Sequence, residues 1–144
     1  MRVEYVMVAD AAQVVGGKLY VLGGGWNQYR AASFPVPMSV SIVTSVLVES
    51  AETEQPVVVT LTIADEDGIP VVPEMHAQVQ VGRAEGSRPP YRLMLPINAT
   101  IQIPREGRYA AQVKAGDSIN DTYFDVLFVG KKVEVIPSQM PPLH

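Results

Sequence analysis

From Met38 to Val48 the chain reads MSVSIVTSVLV, and its apolar residues recur at every second position. Met38, Val40, Ile42, Val46 and Val48 fall on one side. Ser39, Ser41, Val43, Ser45 and Leu47 fall on the other, a face of small and weakly polar groups. A period of two belongs to a β-strand, whose successive side chains point to opposite faces. The alternation recurs at 57–64, 74–81, 91–97, 109–113 and 124–128, and Val133 and Val135 continue it. Turn sequences separate these runs. DEDG at Asp65–Gly68, PREG at Pro104–Gly107 and AGDS at Ala115–Ser118 supply residues that accept tight turns. Gly130 and Lys131 turn the chain into a last strand. No long segment shows a 3.6-residue period with caps, and a single helical turn is expected at 9–13. Parallel βαβ units would need helices that this pattern does not contain. The expectation is therefore an all-β fold, a single-domain antiparallel β-sandwich of about eight strands, with a domain at 1–136 and a proline-rich tail or arm at 137–144.

The first two strand segments differ from the rest. Val3, Tyr5 and Met7 alternate with Val6 and Val8, and Leu19 and Val21 alternate with Tyr20 and Leu22, so both faces are apolar. Such strands lie centrally in a fold or under a partner.

Composition narrows the function. With 144 residues the chain suits one domain. It has no cysteine, which removes disulfides, thiolate metal sites and a cysteine nucleophile. A formal net charge of −4 with mixed signs argues against nucleic acid and anionic membranes as partners. The opening MRVEYVMVAD carries Glu4 and Asp10 inside its apolar run, unlike a signal peptide. The charge-free stretch 31–48 contains Pro35 and Pro37 and alternates, so it reads as a strand and not a bilayer span. A soluble cytoplasmic protein is expected.

Two features invite a chemical reading. GGKLYVLGGGW at 16–26 is glycine-rich, but no helix follows it, and neither the spacing of a phosphate loop nor that of a dinucleotide fingerprint is met. Gly16-Gly17 fits a two-residue hairpin turn, and Gly23–Gly25 fits a bulge or close backbone crossing. Asp65, Asp67 and Glu74 match part of a calcium-loop pattern, but Ile63 occupies the first ligand position. Histidine catalysis finds only His76 and His144, and no serine elbow exists.

The N-terminal motif MRVEYVMVADAAQVVGGKLYVLGGGW resembles the opening of an uncharacterised bacterial family of small β-sandwich proteins, a domain of unknown function. DEDGIPV and IPREGRYAAQVKAGDSINDTYFDVLFV agree with it. The last piece is similar to the closing hairpin of immunoglobulin-like or C2-like sandwiches. The resemblance implies a fold and carries no activity.

The reading that follows is a non-enzymatic interaction or structural assembly module without cofactors, acting as a homo-oligomer or on another protein. Its expected contacts are Trp26 and Tyr29, aromatic types enriched at binding hot spots, and Ser39, Ser41, Val43 and Leu47 on the weakly polar strand face. The alternative is a small-ligand or calcium-binding sandwich that uses Trp26, Tyr29, Asp65, Asp67 and Glu74.

Overall fold

The computed structural model describes residues 1–129, which form an all-β fold of nine strands in two sheets. In chain order these are β1 (Arg2–Val15), β2 (Lys18–Gly24), β3 (Gln28–Ala31), β4 (Val36–Val48), β5 (Val57–Asp65), β6 (Met75–Val79), β7 (Tyr91–Ile103), β8 (Gly107–Ala115) and β9 (Ser118–Phe128). A short 3-10 turn, Ser50–Glu54, joins β4 to β5. One sheet is antiparallel with order β2-β1-β4-β7, and the other has order β3-β9-β8-β5-β6. The expected last strand at Val133 and Val135, its turn at Gly130-Lys131 and the tail at 137–144 lie outside the described residues.

Alternation builds the core. Met38, Val40, Ile42, Val46 and Val48 of β4 are buried, and they meet Val57, Val59, Leu61 and Ile63 of β5, Tyr109, Ala111 and Val113 of β8, and Phe124 and Val126 of β9. Fully burying one such side chain contributes roughly 1.5–3 kcal/mol, so this single cluster holds the two sheets together. Tyr109 and Phe124 stack with ring centroids 5.8 Å apart at its centre. The Tyr109 hydroxyl donates to the carbonyl of Arg105 at 2.5 Å, which ties the turn before β8 to the core.

Three sequence expectations need correction. The second sheet is mixed, because β3 runs parallel to β9, from Gln28↔Asp125 to Ala31↔Phe128. The chain reaches that edge after crossing from the sheet of β2 to the sheet of β9. Among the described residues nine strands are present where about eight were expected, and β3 is one that the period-two runs do not include. The segment 9–13 is strand, not a helical turn, because Ala11, Ala12 and Gln13 pair with Leu22, Val21 and Tyr20. Pairing partners outweigh the helix preference of two adjacent alanines.

Candidate interaction surface

Strand β1 has two different neighbours along its length. Its pairing with β4 runs from Arg2↔Leu47 to Ala9↔Ser41 and stops. Its pairing with β2 runs from Ala9↔Gly24 to Val15↔Lys18. Beyond Ala9 the β1–β2 hairpin is thus a two-stranded ribbon with no third strand paired to it among the described residues. The turn that closes it is Gly16-Gly17, with φ of 59° and 75°. Two successive positive φ values define the mirror-image turn that matches strand twist, and glycine adopts them without strain.

The ribbon is apolar on both faces. Register places Ala11, Gln13, Val15, Lys18, Tyr20 and Leu22 on one face, and Ala12, Val14, Leu19 and Val21 on the other. Leu22 is 72% exposed, Val15 and Tyr20 are each 53% exposed, and Val14 is 39% exposed. An isolated two-stranded hairpin is marginal in water, and this one carries a row of large exposed apolar groups. Ala11, Ala12, Gln13, Tyr20 and Leu22 line a shallow depression of about 280 Å³ on this arm.

The root of the arm is a glycine-permitted bend. Gly23 and Gly25 have φ of 60° and 81°. A Cβ at Gly23 would stand 2.3 Å from Oδ2 of Asp10, so the carboxylate lies directly over this backbone. A Cβ at Gly24 would meet Cγ1 of Val21 at 2.6 Å. The chain then re-enters the body of the fold. The Gly25 amide donates to the carbonyl of Val8 at 2.9 Å, and the Asp125 amide donates to the carbonyl of Asn27 at 2.8 Å.

Trp26 and Tyr29, expected as contacts, are half-buried against the protein's own core. The Trp26 ring meets Phe124 edge to face at 6.3 Å and Tyr29 at 6.2 Å. Its indole N–H is buried without a hydrogen-bond partner. Both aromatic rings anchor the bend to the body.

The weakly polar face of β4 is also internal for much of its length. Ser41, Val43 and Ser45 are fully buried, Leu47 is half-buried, and only Ser39 is exposed, beside Thr100 with 3.3 Å between the hydroxyls. β4 has a neighbour on both sides, so Tyr5 and Met7 of β1 and Met94 and Pro96 of β7 flank these short side chains in register. Residues directly opposite share a face, and the longer ones overshadow the shorter. Ser45 donates to Oε1 of Glu4 at 2.6 Å. Arg92 grips the same carboxylate at 2.7 and 3.0 Å. The Arg92 hydrogen bond, and then that from Ser45, hold Glu4 at about 2, well below the usual 4.5.

The acidic residues do not converge. Oδ1 of Asp65 accepts the backbone N–H groups of Asp67 and Ile69, each at 2.9 Å, and Oδ2 accepts Arg105 at 2.7 Å. These partners, the Ile69 amide foremost, lower its pKa and make it the brace of the turn. Glu74 pairs with Nε2 of His76 at 3.0 Å, away from that brace. Arg108 holds Asp125 with two bonds at 2.7 and 3.0 Å and lies 4.0 Å over the Tyr123 ring. Among the described residues no three His, Asp or Glu groups are grouped to hold a metal ion, and no helix is long and apolar enough to cross a membrane.

Sequence reasoning found the two apolar faces of β2 but could not place it at a sheet edge. The signal was present in Leu19–Leu22, yet strand order depends on pairings distant in the chain.

No curated protein matches this sequence. The profile of a family of unknown function, DUF6941, matches residues 4–124, which takes in β1 from Glu4 onward, β2 to β8 and more than half of β9. The chain belongs to that family.

Proposed function

We propose that this protein is a non-enzymatic, cytoplasmic interaction or assembly module that self-associates through its β1–β2 arm. One observation carries the reading. β2 is apolar on both faces, a pattern of strands covered on both sides, yet it sits at an exposed edge with Leu22 at 72% exposure. Symmetric association of two copies is the commonest way to cover such a surface. The arrangement of charged groups supports the non-enzymatic part. Glu4, Asp65 and Asp125 are each bound to an arginine that fixes a strand or turn. The scaffold is read as a sandwich of immunoglobulin-like or C2-like kind. The Tyr109 hydroxyl bonding back to Arg105 supports this, because such a tyrosine corner recurs in immunoglobulin-like domains.

Light scattering coupled to size exclusion tests the reading. The expected result is a mass above that of one chain for the wild type, falling to one chain for Leu22→Lys with its melting temperature retained. A wild type that stays monomeric at high concentration would overturn it.

A further inference from the structure

The four strands at sheet edges among the described residues are not alike. β3 has four residues and β6 has five, with Pro70, Pro73 and the Glu74–His76 pair just before or within β6. β7 carries Pro96 and Arg92. Short strands, proline and charge are the usual means of blocking edge pairing. β2 has none of them between Leu19 and Leu22.

The backbone groups left open on β2 follow from its turn. A two-residue turn places a hydrogen bond between the residues that flank it, Val15 and Lys18. Bonded and non-bonded pairs alternate along an antiparallel ribbon. Tyr20 with Gln13 and Leu22 with Ala11 are therefore bonded pairs. Leu19 and Val21 are the non-bonded ones, and their N–H and C=O groups point away from β1 along the free edge. Two copies of this edge, placed antiparallel with Tyr20 opposite Tyr20, match Leu19 to Val21 and Val21 to Leu19. This register uses all the open groups of both residues in both chains.

The charges agree with it. Lys18 is the arm's cation and Asp10 its anion, they stand at opposite ends of β2, and neither has an ion-pair partner among the described residues. The Asp10 carboxylate already lies over Gly23. In this register Lys18 of one copy stands opposite Leu22 of the other, so the two Lys18 side chains lie at opposite ends of the pair, while Asp10 lies on the other face with Leu19 and Val21. No like charges meet.

We propose that the occupant of this edge is a second copy of the same chain, paired β2 to β2 about a two-fold axis at Tyr20. The proposal rests on the self-association reading and specifies its geometry.

The chain has no cysteine, so engineered thiols report the register directly. Opposed residues of a non-bonded pair have Cα atoms about 4.5 Å apart, within disulfide range. Tyr20→Cys should form a linked dimer under mild oxidation at least tenfold faster than Leu22→Cys, whose copies stand about 13 Å apart along the strands. A dimeric wild type in which both cysteine variants cross-link at the same slow rate would overturn edge pairing while leaving self-association standing. A monomeric wild type would overturn both.

Discussion

Glu4 and Arg92 lie on strands that are not neighbours, yet the guanidinium holds the carboxylate at 2.7 and 3.0 Å with β4 passing between them. The pair roofs the buried Ser45, whose hydroxyl donates to the same carboxylate at 2.6 Å. A carboxylate held this way resists protonation in the folded chain more than in the unfolded one.

Acid should therefore weaken the fold. The Glu4 pKa is lowered from 4.5 to about 2, so its stabilising contribution is fully present above about 4.5 and is lost as pH falls toward about 2. Glu52, Asp65 and Asp125 are shifted in the same direction, mainly by bonds to the chain's amino group, to the Ile69 amide and to Arg108. Thermal unfolding followed by circular dichroism should show a melting temperature that drops across this interval. Glu4→Gln should start lower at neutral pH and fall less steeply.

Trp26 is the chain's single tryptophan, and its ring faces Phe124. Its emission should stay constant through a dilution series that dissociates the dimer, and should shift to the red only on unfolding. A shift that follows dissociation would place the ring in the interface.

Two glycines of the arm should respond unequally to alanine. Gly16 is at φ of 59° with nothing near its missing Cβ, so Gly16→Ala costs only the backbone term, about 1–2 kcal/mol. Gly23 has a similar φ of 60° but faces the Asp10 carboxylate, so Gly23→Ala adds a displacement of that group to the same backbone term. Denaturant melts of both variants should rank Gly23→Ala as the less stable. Removing the obstruction in the pair Asp10→Gly with Gly23→Ala should bring the cost back toward that of Gly16→Ala.

The turn at Asp65–Gly68 should not respond to calcium. Asp65 is engaged by two amides and Arg105, and Glu74 lies with His76. Millimolar calcium should leave the melting temperature unchanged in the wild type and in Asp67→Ala. A rise in the wild type that Asp67→Ala abolishes would restore the ligand-binding alternative.

Much of the fold was legible because alternation and turn chemistry are local. β4, β5, β8 and β9 follow from period two, and the Gly16-Gly17 turn from its two glycines. β3 was not legible, since Gln28–Ala31 is only four residues long, too short for its alternation of Gln28 and Arg30 with Tyr29 and Ala31 to stand out. The β4 face was legible as a face but not as an interior. Ser41, Val43 and Ser45 look like surface until Met7 and Met94 stand beside them, and that depends on pairings across some 40 to 50 residues of chain. The same limit hid the edge position of β2 and shifted the candidate contact surface from Trp26 and β4 to the arm.

Hydrogen exchange at β2 tests the central claim most directly. The amides of Leu19 and Val21 point along an edge that is open in one chain and paired in two. Measured residue by residue, their exchange should be fast at low protein concentration and slow by at least tenfold at high concentration, while core amides such as that of Leu61 stay slow in both. Equal, fast exchange of Leu19 and Val21 at every concentration would contradict the account.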